Sequence, residues 1–276
     1  MMSKRKLFEP ILTQFISSGA AAGFNREETI LRGIYELIER DAAMGIYLNK
    51  IPIPKIDLRA INNKTINYIM KKSKQYNFEL EVFNATNDLN IPVFLSILVD
   101  RTGIGPAVSV GLKSDLNIIE AIIGSIEEAF MGRTWVRYEL LKQRTIKKLI
   151  NKKIETKLER ALYWTSLSAI RRLNFLLKQK TVSLKIKPKK LIGKDKELNY
   201  IKMNLNQHGF KIMYVDILSK IFDLKNLFVY KVLIPGLQPL YLSEVNKNIN
   251  LERLKNIAQY YNMNNYFTNP YPHPFL

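Results

Sequence analysis

The stretch that most constrains this chain is Ser17 to Ala42, SSGAAAGFNREETILRGIYELIERDA: small residues, then a helix with two unlike faces. Asn25 suits an N-cap, and Glu27 and Glu28 fill the first turn, where the helix dipole favours negative charge. At about 100° per residue from Glu28, Glu39 falls near ~20°, Arg32 near ~40° and Glu36 near ~80°. Ile30, Leu31, Ile34, Leu37, Ile38 and Ala42 fall between about 180° and 320°. One face is apolar and the other acidic. An ordinary amphipathic surface helix accounts for this pattern. So does a carboxylate cluster of Glu28, Glu36 and Glu39 holding Mg²⁺ around a nucleotide, since magnesium takes one or two carboxylates with substrate phosphates. The Gly/Ser-rich lead-in to a helix N-terminus also suits an anion, because it offers unpaired N–H groups. Spacing alone does not separate the two readings.

Composition narrows the field. A chain of 276 residues, 47% hydrophobic with 12 Gly and 11 Pro, can bury a sizeable core. No apolar run reaches the roughly 18 residues of a membrane span. MMSKRKLFEPILTQF has neither the apolar core nor the cleavage site of a secretory signal. The chain has no cysteine and two histidines, which excludes disulfides and thiolate zinc sites; a cytoplasmic protein without a membrane partner is the expectation. Its 43 Lys and Arg against 24 Asp and Glu leave a net charge of +19, which favours nucleotide, nucleic acid or acidic peptide as partner. No nucleic-acid-binding module accompanies that charge, so nucleic-acid binding ranks last.

The element order is that of an α+β fold. Gly45–Asn49 reads as a strand, IPIPKID as an extended segment, and Asn63–Tyr76 as a helix. Strands follow at Phe78–Phe83, Pro92–Val99 and Ala107–Leu112, then a helix capped by Ser114 or Asp115. Gly132–Lys180 is basic and mostly helical, with Trp135 and Trp164 as expected core anchors. A strand at Thr181–Lys187, a helix at Asp195–His208 closed by Gly209, and strands at Phe210–Val215 and Leu227–Ile234 complete the reading. Glu28-Thr-Ile-Leu-x-Gly-Ile-x-Glu36 aligns with Glu120-Ala-Ile-Ile-x-Ser-Ile-x-Glu128. That match predicts an internal repeat, Glu28–Ala42 and Glu120–Arg133, with both helices packing alike on a sheet. In the last eight residues, Pro270, Pro272 and Pro274 alternate and stiffen the backbone; a frayed Pro-rich tail over 265–276 is the plain reading.

The segment SSGAAAGFNREETILRGIYELIERDA resembles the signature of the YcaO family: Ser-x-Gly-x-Ala-x-Gly, an Asn, a Glu, then Glu-Leu-x-Glu-Arg-Asp-Ala. The helix at Glu120–Arg133 and the Pro-Gly-Leu-Gln-Pro-Leu at 235–240 resemble later parts of that family. The resemblance implies a YcaO-like α+β fold with helices packed on mixed sheets, binding ATP and Mg²⁺ to activate a peptide-backbone amide. It places ATP or Mg²⁺ contacts on Glu28, Glu36 and Glu39, with Arg40, Glu128 and Arg133 as further nucleotide contacts. The family's Asn four residues before the first glutamate is Phe24 here, with Asn25 next to it, and its Gln on the second helix is Met131. Azoline-forming members end in Pro-x-Pro-x-Pro. Pro270, Pro272, Pro274 and Leu276 thereby become the expected catalytic tail, lying in the active site beside ATP.

Sixteen residues precede Ser17, where family members carry 100 or more, so the expectation is one YcaO-like domain, 1–276, lacking the family's N-terminal part. A separately encoded chain, a pseudoenzyme and a truncated reading frame each account for that. The leading reading is a subunit of an ATP-dependent cyclodehydratase that turns Cys, Ser or Thr of a ribosomally made precursor peptide into azolines. The side chain attacks the preceding amide carbonyl, ATP phosphorylates the resulting oxygen, and phosphate leaves. The partners this implies are the precursor peptide, a chain supplying the missing half or binding the leader peptide, a flavin-dependent azoline dehydrogenase, or a second copy of the chain. The alternative is a non-catalytic scaffold that binds a peptide or partner enzyme.

Overall fold

Helix α1 (Arg26–Asn49) is shared by two sheets. The computed structural model describes residues 16–142, 154–184, 192–218, 226–264, 266 and 269–276. In chain order the elements are β1 (Ala20–Gly23), α1, β2 (Lys55–Ile56), α2 (Lys64–Gln75), β3 (Phe78–Asn84), β4 (Val93–Asp100) and β5 (Val108–Ser114). Then come α3 (Ile118–Lys142), α4 (Lys157–Tyr163), α5 (Asn174–Leu177), β6 (Thr181–Val182), α6 (Lys194–Gln207), β7 (Met213–Asp216), β8 (Phe228–Leu233) and α7 (Leu251–Tyr260). The larger sheet has the order β5-β4-β3-β2-β6, antiparallel except for β2 with β6; the smaller is antiparallel, β1-β8-β7. This is the expected α+β fold with helices on mixed sheets. Among the described residues no helix is long and apolar enough to cross a membrane.

Strand β4 is buried along its whole length, and the two-residue alternation of a strand divides its side chains between two cores. Val93, Leu95, Ile97 and Val99 join Ile30, Ile34, Ile38 and Ile46 of α1. Phe94 joins Ile118, Ile122 and Ile126 of α3 and Ile66 of α2. The two helices with matching glutamate spacing therefore cover opposite faces of β4 and β5 and do not pack alike. The repeat lies in the sequence pattern of the helices, and the sheet between them brings Glu39 of α1 and Glu128 of α3 to its β5 edge.

Three further expectations change, and one strand is new: the small residues Ala20–Gly23 form strand β1 on β8, and Gly19 (φ +78°) makes the turn before it. A Cβ at Gly19 would fall 2.4 Å from the Val232 carbonyl oxygen, so a side chain there would block the pairing. Gly45–Asn49 continues α1 instead of forming a strand. Lys50 in the left-handed region closes the helix, its N–H bonding to the Ile46 and Tyr47 carbonyls, and every residue from Asp41 to Asn49 is buried. β propensity at Ile46 and Tyr47 yields to this burial, and Gly45 leaves room for Ile257 of α7, which a Cβ would meet at 2.5 Å. Of the predicted strand Thr181–Lys187, Thr181–Val182 is strand and 183–184 are not, and 185–187 lie outside the described residues. Trp164 is a core anchor, whereas Trp135 is half-buried under Lys157.

The Pro-rich segment does not fray. Asn269 N–H donates to the Leu48 carbonyl (3.0 Å) and its amide to the Tyr47 carbonyl (2.9 Å), while Tyr47 Oη donates to the Pro272 carbonyl (2.9 Å). Arg160 of α4 is fully buried and donates to the His273, Leu242 and Tyr241 carbonyls as well as to Glu244. Residues 265, 267 and 268 of the predicted tail lie outside the described residues.

Candidate active site

Strand β5 is an edge strand, and its pairing with β4 turns the N–H groups of Val108, Val110, Leu112 and Ser114 away from the sheet. Buried N–H groups require acceptors. Val108 donates to the Trp164 carbonyl, Leu112 to Glu128 Oε2 of α3, and Ser114 to Glu39 Oε1 of α1 at 2.7 Å. Two carboxylates from opposite faces are thus held at one sheet edge by the backbone between them. Glu36, one turn before Glu39, accepts from Gly19 N–H (2.9 Å) through Oε2 and from Arg40 Nε and Nη2 (3.0 and 2.6 Å) through Oε1.

These groups enclose a cavity of about 180 Å³ lined by Glu36, Glu39 and Arg40 of α1, Val110 to Leu112 of β5, Glu128 of α3, and Phe275 with Leu276 from the docked tail. Burial pushes the Glu39 carboxyl up to about 8; Lys113 and the Ser114 N–H oppose the rise, and Glu128 and Glu36 add to it. Burial is also the first cause of an upward shift at Glu128. Glu39 is buried, whereas Glu128 retains substantial contact with solvent.

The donor set fits Mg²⁺. Carboxylates clustered against one arginine, with Glu39 among them desolvated, favour a cation, and all the donors are hard oxygens. Glu39 Oε2 and Glu128 Oε1 have no hydrogen-bond donor among the described residues. Also among the described residues, no three carboxylates or imidazoles stand close enough to hold one metal as they are. Two carboxylates with phosphate oxygens are the usual complement for Mg²⁺.

The predicted site residues divide. The structure brings together Glu36, Glu39, Arg40, Glu128 and Leu276. It places Glu28 elsewhere: eight residues earlier on α1 is about 12 Å along the axis, and Glu28 pairs with Arg32 at 2.6 Å on the exposed surface. Arg133 also lies outside the cavity. It is about 140° around α3 from Glu128, buried against Asp100 with Phe78 beneath its guanidinium. Burial pushes the Asp100 carboxyl up, but Thr102 and Arg133 outweigh that and hold it below the usual carboxylate range. Pro274 is buried among Ile46, Tyr47 and Leu176 behind the cavity; Pro272 is half-buried and Pro270 exposed. Phe24 and Met131 are both largely exposed.

The reading of motifs missed the groups that hold this frame. Asp41 is fully buried and accepts from Arg253 Nε (2.9 Å) and Nη2 (2.7 Å), Gln238 N–H (2.8 Å) and the Asn87 amide (2.8 Å). It ties α1 to α7, to the Pro-Gly-Leu-Gln turn and to the loop before β4. Arg160 does the same for the tail. His273 is fully buried, and Nε2 donates to the Tyr241 carbonyl (2.7 Å), which fixes the proton on Nε2.

Burial lowers the His273 imidazole well below its ordinary value, with the positive charges of Arg160, Arg40 and Lys247 acting the same way and the Tyr241 carbonyl opposing them. The folded state thus binds fewer protons than the unfolded state below about pH 6.5, and stability falls with pH there by up to ~1.4 kcal/mol per unit. Urea unfolding between pH 7.5 and 5.5 should show this slope in the wild type and a flatter one in His273→Asn. Equal slopes would remove His273 as the cause.

A family model described as YcaO cyclodehydratase, ATP- and Mg²⁺-binding, matches residues 6–238. A heterocyclase in complex with substrate and cofactor superposes with TM-score 0.75 at 21% identity, over 97% of this chain and 35% of its own. The heterocyclase TruD gives 0.71 at 21% identity, over 98% and 36%. YcaO from Methanopyrus kandleri bound with AMPPCP and Mg²⁺ gives 0.62 at 18% identity, over 88% and 62%. The chain spans about a third of the length of the two heterocyclases and under two thirds of the third protein. At such identities the likeness is one of fold. Matched by the family model over most of its length and carrying that fold, the chain belongs to the YcaO cyclodehydratase family.

Proposed function

We propose that this chain binds ATP with Mg²⁺ in the β5-edge cavity and acts in the ATP-dependent conversion of Cys, Ser or Thr residues of a ribosomally made peptide into azolines. The observation that carries the reading is the convergence of Glu36, Glu39, Arg40 and Glu128 with Phe275 and Leu276 around one cavity. Glu39 and Glu128 would hold Mg²⁺, each through its oxygen not taken by β5. Bound there, the metal would offset charge developing on the transferred phosphoryl group. Arg40 supplies a permanent positive charge that Glu36 orients. The docked tail closes one wall and keeps water from that side, and Pro272 and Pro274 stiffen the backbone that carries Leu276 to the cavity. Glu28 and Arg133 would reach the nucleotide only after leaving Arg32 and Asp100.

The test is incubation with ATP, Mg²⁺ and a precursor peptide encoded beside this chain, alone and with the proteins encoded next to it. Mass spectrometry should find the peptide lighter by one water per ring formed, with ATP consumed in proportion. A peptide of unchanged mass in every combination would contradict the enzymatic reading. Two observations favour the scaffold reading: Arg133 is committed to Asp100, and Met131 stands exposed where the family carries an amide. That reading expects peptide binding without ATP turnover.

A further inference from the structure

Lys113 stands beside the same cavity, and neither the signature helix nor the tail assigns it a role. It lies on β5 between Leu112 and Ser114, the two residues whose N–H groups hold Glu128 and Glu39. Strand alternation turns its side chain onto α3. There a Cβ at Gly124 would fall 2.9 Å from Lys113 Cγ and 3.1 Å from Cδ. Glycine inside a helix is unfavourable relative to alanine, so Gly124 keeps open, at a cost to α3, a groove that the lysine stem fills. From this groove the stem curves around the sheet edge and brings Nζ to 3.7 Å from Glu39 Oε1. That is an ion-pair distance, too long for a hydrogen bond. The ammonium forms no hydrogen bond among the described residues, and the side chain remains 41% exposed. Three residues earlier on the same strand, Val110 lines the cavity, and its N–H is turned off the sheet without a partner among the described residues.

We propose that Lys113 binds a phosphate of the nucleotide, with the Val110 N–H as a second donor to the same group; this rests on the nucleotide reading of the cavity. A cavity walled by Glu36, Glu39 and Glu128 repels a polyphosphate wherever the metal leaves charge uncompensated. Arg40 already spends Nε and Nη2 on Glu36, whereas the three Lys113 donors remain available. A lysine serves phosphate as a point charge, and this one is held by a shaped groove. In the metal-free protein it partly neutralises Glu39.

Calorimetric titration of AMPPCP with Mg²⁺ into wild type, Lys113→Met and Gly124→Ala tests this, with Mn²⁺ alone followed by electron paramagnetic resonance. Lys113→Met should weaken AMPPCP binding about tenfold or more and leave Mn²⁺ bound at least as tightly, since a cation has left the side of Glu39. Gly124→Ala should melt no lower than wild type yet weaken AMPPCP, because its Cβ displaces the lysine stem; Lys113→Arg should recover part of the affinity. Unchanged AMPPCP affinity in Lys113→Met, against a wild type that binds, overturns this inference and leaves the nucleotide reading standing. Equal weakening of AMPPCP and Mn²⁺ assigns Lys113 a purely structural part and also overturns it. A wild type that binds no AMPPCP removes both.

Discussion

Glutamine in place of Glu39 should leave the protein folded and lower the ATP turnover we propose for this site by at least about a hundredfold. The substitution preserves shape, and an amide oxygen can still accept the Ser114 N–H. What is lost is the only charge that Glu39 can offer a cation. Because Glu39 is buried and its carboxyl is pushed up to about 8, the neutral replacement does not cost fold stability. Glu128→Gln should act in the same direction, since it removes the second oxygen facing the cavity. The readout is phosphate release with a precursor peptide, together with melting curves of each variant. Turnover equal to wild type in Glu39→Gln would place the nucleotide elsewhere.

Alanine at Asp41 should destabilise the protein by about 3–5 kcal/mol, as expected when one member of a buried ion pair is removed. Four donors lose their acceptor: two from Arg253 and one each from Gln238 and Asn87. Arg253 keeps Asp88, so its charge is not left wholly alone, but the Gln238 N–H and the Asn87 amide have no alternative in place. Against a total stability of roughly 5–15 kcal/mol such a loss is severe. Urea unfolding measures it directly. A loss below about 1 kcal/mol would mean that the network is no stronger than an exposed pair.

The fold class and the signature helix α1 were legible because both rest on local patterns. The 3.6-residue period of α1, its Asn25 cap, the alternation in β3 and β5 and the apolar run of β4 survive any context. Asp41 shows a signal that was present and not used. It falls at about 220° on the α1 wheel, inside the apolar sector, and an acid in that sector calls for a buried partner. Helix α7 was equally open to reading: Asn250 caps it, and Leu254, Ile257 and Ala258 recur at helical spacing. The strand expected at Gly45–Asn49 failed for another reason. Ile and Tyr after a glycine satisfy a strand locally, and only the burial of α1 on every side from Asp41 to Asn49 decides for helix. Lys113 was invisible because its role depends on which way β5 faces and on the space left by Gly124, eleven residues away. The separation of Arg133 from Glu128 follows from the helix period, yet family spacing alone groups them.

The measurement that tests the central claim most directly is calorimetric titration of AMPPCP with Mg²⁺ into this chain, repeated with the proteins encoded beside it and with Glu39→Gln. Saturable binding that requires Mg²⁺ and disappears in Glu39→Gln is the result this site predicts. Binding that survives the substitution, or no binding in any combination, would contradict it.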